Sequence, residues 1–118
     1  MPLFGAVQTP TTLSAGDRVA VLNVENLANN ALTMAVTLTP QPTPVDLAIV
    51  NGSSQTVSLV ASADNKSDGS TYFPVYNEAG NAVTAPANTV ATARVASGLY
   101  YAIKAGGAIT AGTIWLAR

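Results

Sequence analysis

The stretch Leu32-Thr33-Met34-Ala35-Val36-Thr37-Leu38-Thr39 is the clearest strand signal in this chain, because large apolar side chains alternate in it with threonine and alanine. Successive side chains of a β-strand point to opposite faces of its sheet, so a period of two predicts one buried and one solvated face. We therefore expect residues 32–39 to form a strand whose threonines face water.

Similar segments, spaced by roughly ten residues as in β-sandwiches and barrels, occur on both sides of this strand. Strands are predicted at 18–24, 46–50, 56–62, 71–76, 89–95, 99–104 and 113–117. The segment 18–24 is apolar on both faces, which is typical of a strand buried between two layers. With no convincing helix anywhere, the pattern predicts an all-β fold: a single β-sandwich, jelly-roll-like, of about eight short antiparallel strands.

The connections between these segments carry proline, glycine and asparagine. The sequence from Pro40 to Pro44 favours a stiff connector or a crossing between sheets, and Asn51-Gly52 favours a tight hairpin between the strands at 46–50 and 56–62. Pro74 predicts an edge strand or a bulge. Residues 1–16 lack a sustained period and are expected to form an extended arm, with the sandwich in residues 17–118.

Most catalytic and metal-binding chemistry is absent from the sequence, which has no His and no Cys among its 118 residues. Triads with a histidine base, thiolate nucleophiles and histidine-based zinc sites are therefore excluded. Asp64, Asp68 and Gly69 have the spacing of half an EF-hand loop, but Lys66 and Val75 occupy ligand positions, so a solvated turn is expected. We expect no catalytic residue, no cofactor, no metal site and no enzymatic activity.

Charge and composition favour assembly. Only 9% of residues are charged against 48% hydrophobic, and the net charge is −1. Such a surface gives weak colloidal repulsion and no field that attracts nucleic acid or anionic membranes. We expect a homo-oligomer made in the cytoplasm, with no nucleic-acid or membrane partner. The scattered cations should be solvated or ion-paired; they are Arg18, Lys66, Arg94, Lys104 and Arg118.

Two groups of residues are candidates for contact surfaces. Leu3, Phe4 and Val7 are apolar residues of the arm, which either adds as a strand to a neighbouring subunit or simply starts the first sheet. A platform for stacking on sugar rings or bases could be built by aromatic residues, although core or interface packing is the alternative for them. The candidates for this ligand platform are Tyr72, Tyr76, Tyr100 and Trp115. Tyr100 and Tyr101 are adjacent and must face opposite sides of a strand.

In its composition, the whole chain resembles the small all-β virion proteins of tailed bacteriophages, especially head decoration or cement proteins. The segments that carry the resemblance are the short arm Met1-Pro2-Leu3-Phe4-Gly5, strands such as 32–39, the Gly/Asn turns and the tail Thr113-Ile114-Trp115-Leu116-Ala117-Arg118. The resemblance implies a virion location, a homo-oligomer and binding to a major capsid protein. A carbohydrate- or receptor-binding module of a phage tail or fibre is the alternative.

Overall fold

The computed structural model describes residues 10–23, 26–66 and 69–118. These residues form ten β-strands and no helix. The strands are β1 (Thr11–Leu13), β2 (Arg18–Asn23), β3 (Val36–Leu38), β4 (Val45–Asn51), β5 (Val57–Ser62), β6 (Phe73–Pro74), β7 (Thr84–Ala85), β8 (Thr89–Val95), β9 (Tyr100–Ala105) and β10 (Thr113–Ala117).

Two sheets pack face to face as a β-sandwich. The six-stranded sheet has the order β1-β3-β9-β5-β6, with β7 also paired to β5, and the four-stranded sheet has the order β2-β10-β4-β8. The predicted all-β sandwich is confirmed, whereas its jelly-roll arrangement stays a prediction. Two details differ from expectation: the described residues form ten strands rather than about eight, and β1 pairs with β3 in parallel.

The core lies between the sheets and is built by alternate residues of the central strands. Its fully buried members include Leu47 and Ile49 of β4, Leu59 of β5, Ile103 of β9 and Leu116 of β10. Burying one such side chain contributes about 1.5–3 kcal/mol. This layer is therefore the main source of stability.

Prolines lie where the chain changes sheet and where a sheet ends. Pro40 and Pro44 belong to the connection from β3 in one sheet to β4 in the other, so the predicted sheet crossing is confirmed. Pro74 lies in β6, at the edge of the six-stranded sheet. An edge position suits proline, which has no N–H to offer a second neighbouring strand.

The hairpin expected at Asn51-Gly52 does not form, because β4 and β5 belong to different sheets. Asn51 is buried and organises the crossing instead. Its Nδ2 donates to Gln55 O at 2.7 Å and to Ala85 O at 2.9 Å, while its Oδ1 accepts from Ser53 N at 2.9 Å. A Cβ on Gly52 would lie 2.6 Å from Thr113 O, so glycine is required by this close approach rather than by a positive φ.

The stretch 32–39 runs beside β9, but only Val36–Leu38 is a regular strand. Leu32 pairs with Lys104 and Val36 with Tyr101, so the 32–36 segment has one more residue than the part of β9 that it follows. This extra residue reverses the alternation. Val36 faces the core, whereas Leu32 belongs to a separate apolar cluster on the outer face.

Two other predictions of burial are wrong, because strand pairing is irregular at these places. Thr33, expected on a wet face, is fully buried, and its hydroxyl group accepts a hydrogen bond from Ile103 N at 3.1 Å. The segment 18–24, expected between two layers, contains the edge strand β2. Val21 and Leu22 are nevertheless both buried, because a bulge at this point in the pairing with β10 lets consecutive residues face inward.

The sandwich begins inside the predicted arm. Leu13 of β1 is buried and pairs with Leu38, so residues 11–13 belong to the six-stranded sheet, while residues 1–9 lie outside the described residues. Arg118, expected to be solvated or ion-paired, instead forms hydrogen bonds with the edge of the six-stranded sheet. Its guanidinium group donates to Leu13 O at 2.8 Å and to Thr39 O at 3.1 Å.

Candidate functional site

The four residues predicted as a ligand platform are divided among three places. Tyr72 and Tyr100 lie at the outer face of the six-stranded sheet, and Trp115 lies on the outer face of the four-stranded sheet. Tyr76 is 61% exposed in a turn closed by its bridge to Ala82. The structure therefore does not assemble one platform from these side chains. The predicted interface residues Leu3, Phe4 and Val7 lie outside the described residues.

The outer face of the four-stranded sheet carries an apolar row that crosses all four strands. Trp115 of β10 pairs with Ala20 of β2 and Val50 of β4, and Val50 pairs with Val90 of β8. Val90 is 63% exposed, and Ala20, Val50 and Trp115 are half-buried. In the next row, Ala117 pairs with Ala48. We call this surface the Trp115 face; its residues are Ala20, Ala48, Val50, Val90, Trp115 and Ala117.

Charged side chains frame the Trp115 face. The Arg18 guanidinium carbon lies 5.7 Å from the centroid of the Trp115 ring, within the range of a cation–π contact. Arg94 Nε lies 3.3 Å from Asp46 Oδ1, and both side chains are largely exposed. Their pairing leaves no net charge at that border. The face is thus an apolar surface with one cation over its largest side chain.

The outer face of the six-stranded sheet is partly covered by the chain itself. Leu32, Val60 and Ala102 form a buried cluster there, and Tyr72 packs against it. The Tyr72 hydroxyl donates to Asn65 Oδ1 at 2.6 Å. Burial, with smaller contributions from Tyr100 and Asp64, raises the pKa of Tyr72 to about 12, so the phenol is neutral at physiological pH. Tyr72 is therefore a fixed, uncharged ring on this face.

A groove of about 390 Å³ opens beside Tyr72. Its floor contains a row across the sheet in which Leu32 pairs with Lys104, Lys104 with Ser58, and Ser58 with Thr84. This register places one ammonium and two hydroxyl groups beside an apolar cluster. The other residues that line the groove are Asn30, Val60, Gly69, Pro74 and Ala82.

The acidic residues of the described segments do not form a metal centre. Within residues 10–23, 26–66 and 69–118, no three His, Cys, Asp or Glu side chains cluster. Asp64 Oδ1 accepts hydrogen bonds from Thr71 Oγ1 at 2.5 Å and Ser62 Oγ at 3.1 Å, and the bond from Thr71 lowers the pKa of Asp64. Asp68, the other acid of the EF-hand-like spacing, lies outside the described residues.

Sequence reasoning missed three residues that define these surfaces: Val50, Val90 and Lys104. The alternation of β4, β8 and β9 contains a signal, since each residue occupies an outward position of its strand. However, the neighbours of these residues are set by strand pairing across the sheet. Val50 precedes Trp115 by many residues and yet pairs with it directly.

Comparisons of the chain with protein-family models, curated proteins and solved structures found no match. Among the described residues, no helix is long and apolar enough to cross a membrane.

Proposed function

We propose that this protein is a non-enzymatic virion component that self-associates and decorates or cements a bacteriophage capsid, with the major capsid protein as its partner. The observation that carries this proposal is the Trp115 face. Its apolar row, from Ala20 to Val90, spans the full width of the four-stranded sheet. Exposed apolar patches are typical of surfaces that become buried in an assembly, and this row is open to water at Val90.

The composition of the Trp115 face favours a protein partner. Tryptophan and arginine are enriched at the centres of protein interfaces, and here Arg18 lies over Trp115. A low net charge of −1 allows many copies to approach one another on a lattice. Repeated on a shell, modest contacts of each copy combine into strong overall attachment.

Self-association can be followed through Trp115, because it is the only tryptophan of the chain. We expect the full chain to sediment as an oligomer, and Trp115 fluorescence to become less accessible to acrylamide as protein concentration rises. Val50→Asp should shift the protein to monomer and leave Trp115 accessible at all concentrations. Ser54→Asp, which adds the same charge at an exposed loop position, should behave as the unchanged chain.

Capsid attachment needs a second measurement, namely co-sedimentation with empty shells of the tailed phage that carries this gene. The unchanged chain should pellet with the shells in a fixed ratio to the capsid protein. Val50→Asp should lower that ratio, whereas Ser54→Asp should not. A chain that stays monomeric and does not bind the shells contradicts the proposal.

The second candidate function is carbohydrate or receptor binding in a phage tail or fibre. The groove beside Tyr72 favours it, because protein sites for sugars combine an aromatic face with polar side chains. Thr84 is an exposed member of the row on the groove floor, so Thr84→Trp should fill the groove. Binding of any oligosaccharide on a glycan array that is lost in Thr84→Trp would support this candidate.

A further inference from the structure

We infer that the groove beside Tyr72 binds a sugar that bears a carboxylate, of the uronic or sialic acid type. The inference rests on the second candidate function and narrows it to one ligand class. Three features of the groove support it: an aromatic wall, a row of hydroxyl groups and a single cation.

The cation is Lys104. Its ammonium group has no hydrogen-bond or salt-bridge partner among the described residues, in contrast to Arg94, which pairs with Asp46. Lys104 is half-buried between Leu32 and Ser58, its direct neighbours across the sheet. An ammonium group in a partly desolvated place is stabilised by an anion, and hydrogen bonds between charged partners are stronger than those between neutral groups. A ligand carboxylate supplies the anion and also accepts a hydrogen bond from the ammonium group.

The remaining groups suit a pyranose ring. Tyr72 offers a fixed ring face for the C–H groups of a sugar, since its hydroxyl is held by Asn65. Ser58 and Thr84 place hydroxyl groups in the same row as Lys104, and Asn30 adds an amide at the rim. These groups can donate to and accept from sugar hydroxyls. The groove volume of about 390 Å³ accommodates one or two sugar residues.

The net charge of the chain is close to zero, so the attraction of a ligand carboxylate comes from Lys104 itself. With five basic and six acidic residues, the protein as a whole does not attract anions. Binding should therefore depend on the carboxylate meeting Lys104 rather than on the total charge of the ligand.

The test uses nuclear magnetic resonance titration of the full chain with methyl glycosides of glucuronic acid, galacturonic acid and N-acetylneuraminic acid. At least one of them should shift the amide signals of residues that line the groove, at concentrations up to about 10 mM. Reducing its carboxylate to an alcohol should weaken binding about tenfold. Lys104→Gln should weaken binding of the acidic sugar by a similar factor and leave binding of the reduced sugar unchanged.

Arg94→Gln is the matched control, because it removes the same charge from the other sheet and should leave binding unchanged. Equal binding of the acidic and the reduced sugar would overturn the inference while supporting the second candidate function. No shift with any of the three acidic sugars would also overturn it, and failure of neutral glycans as well would overturn both. Loss of binding in Arg94→Gln equal to that in Lys104→Gln would overturn the role of Lys104.

Discussion

The two outer faces of the sandwich carry similar apolar side chains in different surroundings. On the six-stranded sheet, Val60 is buried beneath Tyr72. On the four-stranded sheet, Val50 and Val90 occupy a comparable outward row, but Val90 is 63% exposed. Tyr72 covers part of the first face, whereas Val90 on the second face is open to water. The difference supports the proposal that the Trp115 face makes an intermolecular contact, since another surface would remove its apolar side chains from water.

The largest expected effect comes from placing a charge on each face. Val60→Asp should lower the free energy of unfolding by about 3 kcal/mol or more, because a carboxylate would be buried in the apolar cluster with Leu32 and Ala102. Val50→Asp, the same change on the Trp115 face, should cost about 1 kcal/mol or less in the monomer. Urea denaturation of both variants at a concentration where the chain is monomeric measures the contrast. Equal losses would show that the two faces are equally buried in the monomer.

A smaller effect is expected from removing the largest side chain of each face. Tyr72→Ala should lower stability by about 2 kcal/mol, because the cluster of Leu32, Val60 and Ala102 loses its cover. Trp115→Ala should change monomer stability by about 1 kcal/mol and instead abolish self-association. Thermal unfolding of both variants measures the loss of stability, and sedimentation velocity measures the loss of self-association. Tyr72→Phe, which keeps the ring, is the control for Tyr72→Ala.

Alkaline pH should lower the stability that Tyr72 contributes at the outer face of the six-stranded sheet. The folded pKa of Tyr72 is about 12, above its ordinary value of 10.0, so the protein binds more protons folded than unfolded between these values. The stability that Tyr72 contributes is therefore fully present below pH 10 and is lost as the pH rises towards 12. Absorbance of tyrosinate during titration should show a late-ionising group that is absent in Tyr72→Phe. Burial also raises the pKa of Tyr101, whose late ionisation should remain in that variant.

The smallest effect is expected at the border of the open face. Arg94→Ala removes an exposed ion pair with Asp46 and should change stability by about 0.5 kcal/mol or less. A slight salt dependence of self-association should appear, because the unpaired carboxylate adds charge to the border. Chemical denaturation and sedimentation at two salt concentrations measure both quantities. A loss above about 2 kcal/mol would mean that this pair is part of the fold's support.

Much of the fold could be predicted because period-two alternation reports strands directly. The strand at 113–117 was predicted with its observed bounds, as was the strand at 89–95. The predicted hairpin at Asn51-Gly52 is wrong. Asn and Gly suit many kinds of turn, and the sheet that β5 joins depends on strands far away in sequence. The prediction that Thr33 faces water is wrong, because the segment 32–36 has one more residue than the part of β9 that it follows. This extra residue leaves no trace in the local sequence.

The candidate surfaces were less accessible to sequence reasoning. The sequence indicates Tyr72 and Trp115 only as bulky aromatic residues, and the structure places them at the outer faces of opposite sheets. Lys104 was expected to be an ordinary solvated cation, yet strand pairing seats it in the groove beside Tyr72. A groove is formed by several strands in register and the loops beside them, so no single strand supplies its lining.

The sequence by itself determined the fold class and the absence of histidine and cysteine chemistry, because both follow from residue types and local spacing. Only the tertiary structure decided which apolar outward positions are covered. Val50 and Val60 each lie within an apolar strand, and nothing in their local sequence separates them. Pairing with β10 leaves Val50 on an open face, whereas the return of the chain through Tyr72 buries Val60. Burial of this kind is decided by contacts between residues far apart in sequence.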